Sequence, residues 1–185
     1  GIAYYKSSRD SYSADRLTLV SDLRHAIDHN ELTLFLQPKL CLRTRAITGF
    51  EALIRWPGRE QPVRPDEIIA VAEQTGLIKP LTRWVLKEAL EMRGRLLEIG
   101  WDAGIAVNIS PNNLREPDFA VFVQRLMQSY QIHSGAITFE VTETSMMQDP
   151  TNSLRALNAL DAAGIPLSID DFGSGYSSLS YIKQL

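Results

Sequence analysis

Apolar residues recur at three- and four-residue spacing between residues 15 and 29, where Leu17, Val20, Leu23 and Ile27 predict one buried face of a helix. The period then shortens. "LTLFLQPKL" (32–40) alternates and is rich in strand formers, with Pro38 marking an edge or the strand's end, and "AITGFEALIRW" (46–56) reads as a second strand. The link "CLRTR" is short enough to predict an antiparallel hairpin.

Helix and strand patterns alternate from there on. Helices are predicted over 65–76, with Asp66 as cap and Gly76 as stop, and over 81–99, 118–130 and 151–163. Strands are predicted over 104–110, 136–144 and 165–173. That alternation is the signature of a parallel sheet with crossover helices. "IAVNI" and "AITFEV" read as apolar on both faces, as a buried parallel sheet requires. About five strands are legible, whereas an eight-stranded barrel typically takes about 250 residues. The expected fold is therefore an α/β, TIM-like (β/α)8 barrel with an antiparallel first strand, two or three strands short at the C-terminus. Residues 6–14, "KSSRDSYSA", are polar and read as a linker after the short apolar run "GIAYY".

Composition narrows the chemistry. The 185 residues are 44% hydrophobic and 22% charged, as in a globular protein with a core, and the net charge is 19 − 22 = −3. No global basic surface exists for a nucleic acid polymer, so an anionic ligand would depend on local arginines. Cys41 is the single cysteine, which excludes an internal disulfide and a Cys-rich zinc site. No apolar run reaches the ~18 residues of a membrane span, and the N-terminus lacks a signal-peptide pattern. The expectation is a cytoplasmic domain, whose parent protein is free to be anchored through other segments.

The strand ends carry the candidate chemistry. Glu51 lies on the second predicted strand, Asn108 on the third, Glu140 and Glu143 on the fourth, and Asp170 and Asp171 on the fifth. Ligands of parallel α/β folds collect at the C-terminal ends of strands. Carboxylates with one carboxamide form a hard oxygen set suited to Mg²⁺, Mn²⁺ or Ca²⁺, and their number suggests two ions, an arrangement typical of phosphodiester hydrolysis. Each residue also has a plain structural reading. Glu51 could pair with Arg55, Asn108 could cap the turn before Pro111, and Asp170-Asp171 could be a solvated turn. Their conjunction on four strands favours a site.

The same residues resemble a known family. "FEALIRW" resembles the signature of EAL domains, bacterial phosphodiesterases of cyclic di-GMP. "LFLQPKL", "VNISPNNL", "FEVTET" and "DDFGSGYSSLSYIKQL" resemble the family's other conserved segments, in family order from Asp15 to Leu185. The resemblance implies a metal-dependent phosphodiesterase that hydrolyses cyclic di-GMP to linear pGpG, with two Mg²⁺ or Mn²⁺ ions and inhibition by Ca²⁺. It implies metal ligands Glu51, Asn108, Glu140 and Asp170, with Asp171 serving the second metal. Gln37, Leu53 and Arg55 would contact substrate, Arg55 at a phosphate, where its fork of donors suits the geometry. Glu143 would hold the loop Gly173–Ser178 in its working shape. Glu51, Asp171 and Glu143 are the expected catalytic set.

Three departures qualify the expectation. Lys39 stands where the family usually has an apolar residue, and either faces solvent or touches ligand or partner. Ser174 replaces a common Thr. The family's later Lys-Ile-Asp strand, its further metal-binding glutamate and its last guanine-contacting Gln are not in these 185 residues, so this stretch alone is expected to be inactive. The alternative is a non-catalytic cyclic di-GMP receptor. Partner expectations are cyclic di-GMP, a homodimer through Ser178–Leu185 (with Leu179, Ile182 and Leu185 at helical spacing), and an upstream sensory or GGDEF domain whose tail would be 1–14.

Overall fold

The computed structural model describes residues 8–131 and 135–171. "GIAYY", the loop Gly173–Ser178 and the proposed dimer segment Ser178–Leu185 lie outside them. The described elements run α1 (Ser8–Asp28), β1 (Thr33–Leu40), β2 (Ile47–Arg55), α2 (Pro65–Thr75), α3 (Ile78–Glu98), β3 (Gly104–Asn108), α4 (Pro111–Leu114), α5 (Phe119–Ser129), β4 (Ile137–Thr142), α6 (Glu143–Gln148), α7 (Pro150–Ala162) and β5 (Leu167–Asp170). The five strands form one sheet in the order β1-β2-β3-β4-β5. β1 pairs antiparallel with β2, and every later pair is parallel. This is the hairpin start and βα alternation of the expected barrel, with five strands among the described residues.

Register decides which side chains share a face, because directly paired residues project the same way and neighbours along a strand alternate. One face carries Leu34, Ala52, Ile54, Ile105, Val107, Ile137, Phe139 and Val141, all at most 7% exposed and packed under the helices. Phe139 is fully buried and stacks on Phe119 of α5 at 6.0 Å between ring centroids. Its truncation to alanine would cost about 3–5 kcal/mol. The other face carries Gln37, Glu51, Ala106, Asn108, Thr138, Glu140, Ser168 and Asp170. The strands are thus not apolar on both faces. The inward face is small or polar at these positions, with Phe35 and Leu53 beside them on the hairpin.

Close strand approach fixes the floor of that face. Gly49 pairs with Gly104, and a Cβ on Gly49 would lie 2.9 Å from the Gly104 carbonyl oxygen. A Cβ on Gly104 would lie 2.8 Å from the Gly135 oxygen. Both contacts are with backbone, so neither yields cheaply.

Several element boundaries differ from expectation for local reasons. α1 begins at Ser8, so residues 8–14 continue a helix where a polar linker was expected. Its buried stripe is Leu23, Ala26 and Ile27, while Leu17 is 70% exposed and lies off the packed face. α2 is entered through Arg64 with Pro65 in its first turn, so Asp66 sits inside the helix rather than capping it. Gly76 ends it in the left-handed conformation at φ 75°, as predicted. Two short helices, α4 and α6, fall in segments read as loop and strand.

Candidate active site at the strand ends

β2 and β3 bring the first two site residues together. The Asn108 carboxamide donates from Nδ2 to Glu51 Oε1 at 2.8 Å. The pairing of Glu51 with Arg55 does not form. Arg55 instead donates from Nη1 to the Ile54 carbonyl at 2.8 Å and lies over the Phe35 ring at 5.5 Å. Asn108 is not a turn cap either. That role belongs to Ser110, whose hydroxyl accepts from the Asn112 backbone N–H at 3.2 Å and opens α4 with Asn113 in a capping box.

Glu140 pairs in register with Asn108 and is 7% exposed. Its Oε1 accepts a charge-assisted hydrogen bond from Lys39 Nζ, reaching from the hairpin's edge strand. Neither expected role of Lys39, facing solvent or touching ligand or partner, describes this contact: it is an ion pair within the chain. Gln37 and Leu53 face the same side, Gln37 directly opposite Glu51. Asp170 ends β5 and its Oδ1 accepts from the Asp171 backbone N–H at 2.9 Å. Asp171 follows the strand rather than lying on it, with a left-handed φ of 54°. That conformation is uncommon outside glycine, although Asp is among the residues that tolerate it.

Glu143 also leaves its expected place. β4 ends at Thr142, and Glu143 is the first residue of α6, 2% exposed. The loop it was expected to hold lies outside the described residues.

The donor chemistry fits divalent cations: Glu51, Asn108, Glu140 and Asp170 stand on four adjacent strands of one face with hard oxygen atoms. All four are engaged with protein groups, and among the described residues no three Asp, Glu, His or Cys side chains converge as a ligand cluster.

Beneath Asn108 lies a polar network that sequence reasoning missed. Ser110 Oγ donates to Glu73 Oε1 of α2 at 2.6 Å. Asn113, fully buried, accepts at Oδ1 from Thr82 Oγ1 at 3.0 Å and from the Ser110 N–H at 3.3 Å, and donates from Nδ2 to Glu116 Oε1 at 3.3 Å. Glu116 Oε2 faces Lys79 at 3.4 Å and Arg83 at 3.5 Å. The network ties the segment after β3 to α2 and α3. The Ser-Pro start after Asn108 was its one local sign.

The family model described as EAL domain matches residues 20–185. The chain belongs to the EAL domain family. It is 36% identical over 187 residues to a bifunctional diguanylate cyclase/cyclic di-GMP phosphodiesterase, MucR, of Pseudomonas aeruginosa, covering 100% of this chain and 27% of that protein. It is 32% identical over 187 residues to a cyclic di-GMP phosphodiesterase of the same organism, covering 100% of this chain and 32% of that protein. The EAL-domain chain thus spans about a third or less of these relatives' lengths. Among solved structures, it superposes on the MucR phosphodiesterase in complex with c-di-GMP with a TM-score of 0.83 at 37% identity, covering 91% of this chain and 69% of that one. Among the described residues, no helix is long and apolar enough to cross a membrane.

Proposed function

We propose that this EAL domain is the catalytic part of a metal-dependent phosphodiesterase that hydrolyses cyclic di-GMP to linear pGpG. The observation that carries the reading is the shared face of Glu51, Asn108, Glu140 and Asp170 on four adjacent strands. Two Mg²⁺ or Mn²⁺ ions held there would supply Lewis acidity toward the phosphodiester and lower the pKa of an attacking water. Glu51 and Asn108 act as one unit, since their hydrogen bond orients both oxygen donors. Gln37 and Leu53 line the face that receives the nucleotide. Arg55, held over Phe35, has a second guanidinium nitrogen to offer a phosphate. Asp171 serves the second ion, and Ca²⁺ inhibits because it is larger and looser in its coordination. The protein works as a cytoplasmic homodimer through Ser178–Leu185, downstream of a sensory or GGDEF domain.

A second reading, a receptor that binds cyclic di-GMP without turnover, is favoured by one observation: the carboxylates among the described residues do not converge as a ligand cluster. One assay separates the two. The full-length protein is incubated with Mg²⁺ or Mn²⁺ and cyclic di-GMP, and products are resolved by chromatography. The phosphodiesterase reading expects pGpG, lost in E51Q while nucleotide binding persists. Tight binding with no pGpG at saturating metal would overturn it in favour of the receptor.

A further inference from the structure

Lys39 is the one charged residue on the inward face of β1, and the proposed chemistry gives it no role. Its position is unusual. β1 runs antiparallel to its neighbours, so Lys39, near its end, pairs with Gly49 at the floor of the sheet. Gly49 and its partner Gly104 carry no side chain, and Ala106 above Gly104 carries only a methyl. These gaps let the lysine stem rise along the face to β4, where the ammonium meets Glu140 Oε1 across 101 residues of sequence. The Glu140 side chain is only 8% exposed, whereas that of Lys39 is 39% exposed.

A carboxylate this buried is costly unless a cation answers it. The neighbouring carboxamide of Asn108 is already committed to Glu51. Among the described residues, Lys39 is the ion-pair partner of Glu140. Lysine suits a replaceable partner: a compact point charge on a flexible stem, here with a partly open route back toward solvent. An ammonium and a divalent ion on one carboxylate repel each other, and at low local dielectric that repulsion is large.

We propose that Lys39 is a built-in counter-cation of Glu140 that a divalent ion must displace, so that its charge sets the metal affinity of the site. Before metal arrives, the ammonium keeps the buried carboxylate neutralised and the face folded. The inference rests on the metal-dependent reading above.

The test titrates Mn²⁺ alone into the full-length protein and reads free Mn²⁺ by electron paramagnetic resonance, alongside melting temperatures with and without Mn²⁺. Wild type is compared with K39M, K39Q and K39R. K39M and K39Q are expected to bind Mn²⁺ about tenfold tighter or more, a change of about 1.4 kcal/mol or more. Their metal-free melting temperature falls, and Mn²⁺ raises it by more than in wild type. K39R stays close to wild type, and adding E140Q to K39M abolishes the gain. K39Q, polar and similar in length, keeps the comparison open if K39M fails to fold without metal. Unchanged or weaker Mn²⁺ binding in K39Q would overturn the inference, and weaker binding would make Lys39 a fixed support of Glu140 instead. Wild type that binds no Mn²⁺ would sink the metal-dependent reading itself, a result distinct from an unmoved affinity in the variants.

Discussion

Asn113 offers the sharpest test of how the site is held. The N113A substitution removes three hydrogen bonds from a side chain with no exposed surface. Their loss is unequal. The Ser110 N–H loses its carboxamide partner. The Thr82 hydroxyl can rotate to a carbonyl of its own helix, and Glu116 keeps Lys79 and Arg83 on its other oxygen at 3.4 and 3.5 Å. An orphaned buried polar group costs about 1–3 kcal/mol, so one full and two partial losses come to roughly 2–4 kcal/mol. For a domain of this size that lowers the melting temperature by about 4–16 °C. N113D adds a discriminating arm. It keeps shape and acceptor but sets a second carboxylate against Glu116 Oε1, where the amide now donates at 3.3 Å. Burial and that neighbour raise the folded pKa of the introduced group above its unfolded value near 3.9. The folded state then binds the extra proton, so the penalty is absent at low pH and grows as pH rises through the folded value. Thermal and urea melts of N113A, N113D and wild type at pH 5 and pH 8 measure both effects. N113A within about 0.5 kcal/mol of wild type, or an N113D penalty equal at the two pH values, would refute the network's role.

Three further outcomes follow from other parts of the molecule. G49A forces its Cβ to within 2.9 Å of a backbone oxygen and is expected to cost about 1–3 kcal/mol in denaturant melts, with G104A, at 2.8 Å, costing as much or more. Because Gly49 lies against β3 and Gly104 against the segment that enters β4, both variants should also weaken Mn²⁺ binding at the Glu51–Asn108 pair. The Asp149 cap of α7 accepts from the Asn152 side chain at 2.8 Å and its backbone N–H at 3.3 Å, which holds the carboxyl below its ordinary pKa. The stability it adds is full above the unfolded value near 3.9 and is lost as pH falls through the lower folded value, so D149A should lower the melting temperature at neutral pH and lose that difference in acid.

Much of this architecture is legible locally. The alternation in 32–40, the strand-like run 46–56, the short link between them and the later strand–helix alternation predict the hairpin and the parallel sheet, because those patterns depend on residues a few positions apart. The site residues Glu51, Asn108, Glu140 and Asp170 stood out because oxygen-bearing side chains interrupted apolar runs at strand ends. Helix entry was less legible. Arg64-Pro65 and Ser110-Pro111 start helices through proline in the first turn, where the sequence predicts a cap at Asp66 and no helix after Asn108.

The partners of those side chains were another matter. Glu51 and Asn108 are 57 residues apart, Lys39 and Glu140 101 apart, and Ser110 and Glu73 37 apart. Each meets its partner only because strand register and helix docking place them side by side. A one-residue slip in β1 would turn Lys39 away from Glu140 and leave a buried carboxylate unanswered. Local pattern therefore determined which residues are candidates for the chemistry and which elements carry them. The assembled sheet alone decided that Glu51 answers to Asn108 rather than Arg55, and that a lysine from the edge strand holds the place beside Glu140. The reason is that hydrogen bonds and charges act over a few ångströms of space, whatever the separation along the chain.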